Sequence, residues 1–145
     1  MESKNFERAL LITSGLIGLG LIFIGIRFLV APETGERGYG LNFSENADYS
    51  FHYIKGIRDL FCGTLILALT LWKRRAELAL TLGLGAMIPL VDFLVILNAP
   101  NSNPAALWIH GVTAIVLVAL AGFLFRSYAK SGDALTAARN DLAAS

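Results

Sequence analysis

Lys55-Gly56-Ile57-Arg58-Asp59-Leu60-Phe61-Cys62-Gly63 is the stretch on which the reading of this chain turns. Three ionisable residues head a run that is otherwise apolar as far as Trp72. On a helix, Lys55, Arg58 and Asp59 stand at i, i+3 and i+4 and share one face, with Cys62 one turn further along it. If this run crosses a bilayer, its charges enter hydrocarbon, at about 2.5–3.5 kcal/mol for each unpaired one. Charges placed there need partners, and they mark a site.

Composition makes the bilayer the simpler home. Of 145 residues, 55% are hydrophobic and 16% charged, with mean hydropathy +0.61, whereas a soluble domain carries about 25% charged residues. So small a globule cannot bury this much apolar surface. A net charge of +1 leaves no electrostatic footprint for nucleic acid. One cysteine, Cys62, excludes an intrachain disulfide and a cysteine-cluster metal site. There is no His-x-x-His or Glu-x-x-His pair, and Arg58 opposes a cation, so neither metal nor cofactor is expected.

Working outward, the sequence reads as an all-α protein, a transmembrane four-helix bundle. Residues 9–31 are apolar with Arg27 near the end, long enough to span and too long for a signal-peptide core. They read as an uncleaved first span. Pro32 stops it, and residues 32–50 form a long polar loop. Spans two, three and four cover about 51–72, 77–98 and 105–125. Span three carries Pro89 and Asp92, and span four carries His110. Residues 1–126 read as one membrane domain and 127–145 as a polar tail, a short surface helix or disordered.

Lys4, Arg8, Lys73, Arg74, Arg75, Arg126 and Lys130 flank one side of these spans, while the other side offers Arg37 among acids. That bias puts both termini in the cytoplasm; brevity and the lack of eukaryotic sorting signals suggest a bacterial inner membrane. At about 1.5 Å per residue, Arg27, Lys55, Arg58, Asp59, Asp92 and His110 all fall in the outer half. Facing inward, they make one polar chamber roofed by the 32–50 loop.

Asp59, Asp92 and His110 are the candidate acid–base groups. Histidine titrates near neutral pH, and a carboxylate that orients an imidazole makes a general base. Arg58, Lys55, Arg27, Glu45 and Asp48 are candidate ligand-binding groups. Each has a structural alternative, because buried charges must be paired whether or not they act. Lys55 and Arg27 lie near enough to the boundary to snorkel.

The same residues form a string of motifs: Pro32, Arg37-Gly38-Tyr39-Gly40, Lys55-Gly56-Ile57-Arg58-Asp59-Leu60 with Gly63, Ile88-Pro89 with Asp92, and His110-Gly111. Over about residues 10–125 the chain resembles a family of small four-span proteins of bacteria and fungi known as a domain of unknown function. The resemblance implies an integral membrane helical protein and supplies no activity.

Three functions fit these observations. The first is binding a lipophilic small molecule from membrane lipid, with proton-transfer chemistry of the isomerase, cyclase or epoxide-opening kind. The second is a small transporter or channel subunit working as a homo-oligomer. The third is a structural or accessory subunit whose charges specify packing.

Overall fold

A computed structural model describes residues 2–40, 48–99 and 102–144. The described residues are all-α: α1 (Glu2–Val30), α2 (Pro32–Tyr39), α3 (Ser50–Leu71), α4 (Arg75–Gly85), α5 (Met87–Asn98) and α6 (Pro104–Ala144). Among the described residues, three stretches are long and apolar enough to cross a membrane, Lys4–Val30, Arg75–Asn98 and Pro104–Lys130. The 22-residue α3 is comparable in length but carries the three charges.

Two antiparallel pairs make up the fold. In the first, α1 and α3 touch backbone to backbone through glycines spaced seven apart on each helix. A Cβ on Gly63 would lie 2.6 Å from the Gly18 carbonyl oxygen, and one on Gly25 would lie 2.7 Å from that of Gly56. Only a residue without a side chain permits this approach, the usual route to tight helix contact in lipid. In the second pair, α4 and α5 run against α6: Gly83 faces Ala121, and Gly111 faces the Phe93 ring. Residues 77–98, expected as one span, lie within one apolar stretch, Arg75–Asn98, with a one-residue break at Ala86 that keeps right-handed helical backbone angles. Pro89 has no N–H to return to the Gly85 carbonyl, so the helix loses a rung at the break.

The pairs meet over two apolar clusters. Leu10, Ile66, Leu78, Leu82, Ala86, Leu117, Leu120 and Leu124 fill the half nearer the termini. Phe28, Tyr39, Ile96 and Ala106 form a smaller cluster at the opposite end. At the termini end, Arg75 pairs with Glu7 at 2.9 Å, and the Ser127 hydroxyl donates to the same carboxylate at 2.8 Å. The chain beyond residue 126, expected as a separate tail, continues α6 without a break; the side chains of Leu135, Ala138 and Leu142 lie outside those described.

The polar loop expected over 32–50 begins instead with a helix. Pro32 ends α1 and also opens α2 at its first position, where a missing N–H costs nothing. Gly40 closes α2 at φ 100°, a left-handed conformation natural to glycine. The Gly40 carbonyl accepts the Asn103 N–H at 3.1 Å, and a Cβ there would meet Ala106 at 2.3 Å. At the other end, Gly35 sits on the Phe28 ring. Thus α2 is a crossbar from α1 to the start of α6.

Gly63→Ala is expected to force α1 and α3 apart and destabilise the protein by about 1–3 kcal/mol. Gly20→Ala, with open space around it, is expected to leave stability unchanged or raised by roughly 0.5–1 kcal/mol. Thermal unfolding in detergent reads both; equal melting temperatures for the two variants would refute the glycine seam.

Candidate functional site

Between the two apolar clusters lies a polar layer. Along α3 the order is Phe51, then Lys55, Arg58 and Asp59, then Ile66. Along α5 and back into α4 it is Ile96, Asp92, Ala86. Along α6 it is Ala106, His110, Leu117. Packing thus draws residues from three separate stretches of chain to one level, with α2 above them.

Asp59 is closed. Its Oδ2 accepts from Lys55 Nζ at 2.6 Å and its Oδ1 from Arg58 Nε at 3.1 Å, with 3% of the residue exposed. Lys55 does not snorkel outward but is buried, its ammonium 5.1 Å from the centres of both the Phe28 and Tyr39 rings. Cation–π attraction supplements the ion pair there.

Asp92 is held more loosely. Its Oδ1 accepts from the Tyr39 hydroxyl at 3.0 Å. Around Oδ2 stand Arg58 Nη2 at 3.5 Å, His110 Nδ1 at 3.8 Å and Lys55 Nζ at 3.9 Å. Charge-assisted N–H···O bonds run about 2.7–2.9 Å, so Oδ2 retains bonding capacity. Burial first, and then the Asp92 carboxylate, pushes the Tyr39 phenol well above its ordinary pKa. The phenol therefore remains a donor.

His110 is oriented by backbone. Its Nε2 lies 3.3 Å from the Tyr39 carbonyl oxygen. A carbonyl only accepts, so Nε2 carries the proton and Nδ1 of the neutral ring presents its lone pair. That lone pair faces Asp92 Oδ2. Two acceptors stand 3.8 Å apart, too far for a direct bond, and each calls for a donor.

Glu36 and His52 extend the layer toward α2. Glu36 Oε2 and His52 Nε2 are 2.7 Å apart and both residues are buried, among the rings of Phe28, Tyr49 and Phe51. With Tyr39, this pair pins α2 to α3 and α5. These three residues were not among the sequence candidates. Two signals point to them: His52 shares a helical face with Lys55 and Asp59 at i, i+3 and i+7, and Pro32 followed by Glu33 is a helix-start pattern that puts Glu36 and Tyr39 on one face.

Five of the eight candidates, Lys55, Arg58, Asp59, Asp92 and His110, therefore come together. Arg27 is half-buried on α1 and makes no ion pair among the described residues. Asp48 is exposed and accepts the Ser50 N–H at 2.9 Å at the start of α3; hydrogen bonding to Ser50 holds its carboxyl below the usual value. Glu45 lies outside the described residues. Among the described residues, no three His, Cys, Asp or Glu side chains gather as metal ligands would.

Long apolar helices around a buried, charge-balanced polar layer define a helical membrane protein. The chain belongs to the family described as Domain of unknown function (DUF4267), which it matches over residues 18–124. That match spans the glycine seam, α2, the whole polar layer and the first half of α6. No curated protein and no solved structure matches the chain.

Asp59→Asn removes the anion shared by Lys55 and Arg58, and is expected to cost about 3–5 kcal/mol, seen as a lower melting temperature in detergent. An unchanged melting temperature would mean the ion cluster does not hold the helices. Tyr39 supplies a second check. Its protonated phenol stabilises the fold below the ordinary tyrosine pKa, and that contribution is lost as pH rises through the raised value. Ultraviolet titration is expected to show a late-ionising tyrosine that disappears in Tyr39→Phe.

Proposed function

We propose that this protein is a four-span membrane protein, termini in the cytoplasm, whose polar layer binds a lipophilic small molecule and acts on it by proton transfer. The observation that carries this reading is the gap between His110 Nδ1 and Asp92 Oδ2. Both atoms are acceptors, both are positioned by other bonds, and each calls for a donor that the other cannot supply. A substrate proton taken by His110 makes an imidazolium, which the Asp92 carboxylate stabilises and which can return the proton elsewhere on the ligand. This is general acid–base catalysis without a cofactor. Isomerisation, cyclisation and epoxide opening are reactions of this kind.

Differences between the two carboxylates support a division of labour. Asp59 is held by its cations at 2.6 and 3.1 Å and anchors Arg58, whereas the Arg58 bond to Asp92 Oδ2 is 3.5 Å long. Arg58, one third exposed along its side chain, spans both and would stabilise negative charge that develops on a bound ligand. The apolar cluster that fills the half nearer the termini offers no polar route across and weighs against a transport role.

A structural role is the second reading, and one observation favours it. Lys55 and Arg58 are matched in number by Asp59 and Asp92, so the cluster is electrically complete without a ligand. His110→Phe separates the readings, because it removes the base and leaves all four charges. Wild-type protein, purified in mild detergent and extracted with organic solvent, is expected to release a lipophilic molecule that is not a bulk bilayer lipid. His110→Phe is expected to lose that molecule while keeping its melting temperature. Identical extracts from both proteins, analysed by mass spectrometry, would defeat the binding reading and favour the structural one.

A further inference from the structure

The polar layer holds two cations, Lys55 and Arg58, each within 3.9 Å of both anions, Asp59 and Asp92. Glu36 and His52 form their own pair above them. A ligand with an ionic head would bring an uncompensated charge into low-dielectric surroundings, where charge is costly. A neutral head adds none.

Hydrogen-bond capacity narrows the head group further. Asp92 Oδ2 and His110 Nδ1 face each other as acceptors, and they call for a donor. Arg58 has five N–H donors by its chemistry; Nε serves Asp59 and Nη2 serves Asp92, so the guanidinium retains N–H groups that call for an acceptor. An ether or carbonyl oxygen satisfies only Arg58. A hydroxyl has one proton, which it donates to either Oδ2 or Nδ1 while accepting from the guanidinium, so it serves Arg58 and one of the two acceptors.

The packing supplies an approach. α3 packs along α1 and against α4, and α5 packs on α6; no comparable contact joins α3 to α5. Lys55 and Arg58 of α3 reach Asp92 of α5 through side-chain ion pairs. One turn from Arg58 and Asp92 toward the middle of the helices stand Phe61 and Ile88. Phe61 is exposed and Ile88 half-buried. An alkyl chain whose head sits at Asp92 would lie against these two.

Resting on the function proposed above, we infer that the ligand is a neutral lipophilic alcohol, its hydroxyl between Asp92, His110 and Arg58 and its tail leaving between α3 and α5 into the bilayer.

The test uses the full chain in nanodiscs and a hexadecanol analogue carrying a photoreactive diazirine on its chain. Labelling is competed with hexadecanol, hexadecylamine and hexadecyl sulfate, which share a tail and differ in head charge. Hexadecanol is expected to compete at a concentration at least about tenfold below either charged compound, with label mapped to the peptides containing Phe61 or Ile88. Competition by the amine or the sulfate at equal or lower concentration overturns the neutral-alcohol inference and leaves the binding reading standing. Specific labelling elsewhere on the chain overturns the proposed approach. The absence of saturable labelling overturns the inference and the binding reading together. Because the comparison is made on wild-type protein, it does not depend on a variant that fails to fold.

Discussion

The structure depends on charge balance around Asp92. Two carboxylates and two cations are placed in surroundings too apolar to tolerate any of them alone, so their helices must meet where they do. Asp92 lies on α5, its cations lie on α3, and α3 does not pack on α5. The ion cluster is therefore the link between two antiparallel helix pairs at this level. Tyr39 and His110 complete it from α2 and α6. Buried ion pairs are poor sources of net stability but costly to leave half-made, and such a network favours one arrangement of the helices over its alternatives.

The remaining features make that meeting possible. The glycines of α1 and α3 bring those helices close enough to form one rigid pair, which fixes the face that carries Lys55 and Asp59. Pro89 removes one helical rung beside the break at Ala86. The crossbar α2 stands on glycines at both ends, Gly35 on Phe28 and Gly40 on Ala106, and delivers two groups to the layer from a single residue. Its Tyr39 hydroxyl donates to Asp92, and its Tyr39 carbonyl accepts a hydrogen bond from His110 Nε2. One residue thereby sets both the carboxylate and the imidazole tautomer facing it. Oδ2 takes only a long 3.5 Å bond from Arg58 Nη2, and His110 Nδ1 stands 3.8 Å from it.

Much of this was readable from the amino-acid order. Helical spacing put Lys55, Arg58 and Asp59 on one face, and counting residues from the span ends put Asp92 and His110 at the same depth. Both arguments rest on regular helix geometry, which apolar spans obey. What escaped was irregular or tertiary. The helix α2 is eight residues long and polar, so it lacks the hydrophobic periodicity that marks a span, and the signal at Pro32 was read as a stop when it is also a start. Glu36, Tyr39 and His52 were missed with it. Arg27 shares the depth of the layer but not its direction, since depth along a helix does not specify which way a side chain faces. The inequality between Asp59 and Asp92 was likewise hidden: both are carboxylates on apolar helices, and only tertiary distances separate the closed one from the open one.

The most direct measurement is an experimental structure in lipid at a resolution that shows ordered oxygens beside Asp92. The account predicts an oxygen, of water or ligand, within hydrogen-bond distance of both His110 Nδ1 and Asp92 Oδ2, with His110 Nε2 directed at the Tyr39 carbonyl. A guanidinium of Arg58 closed bidentately on Asp92, with His110 turned away and no space between them, would contradict it.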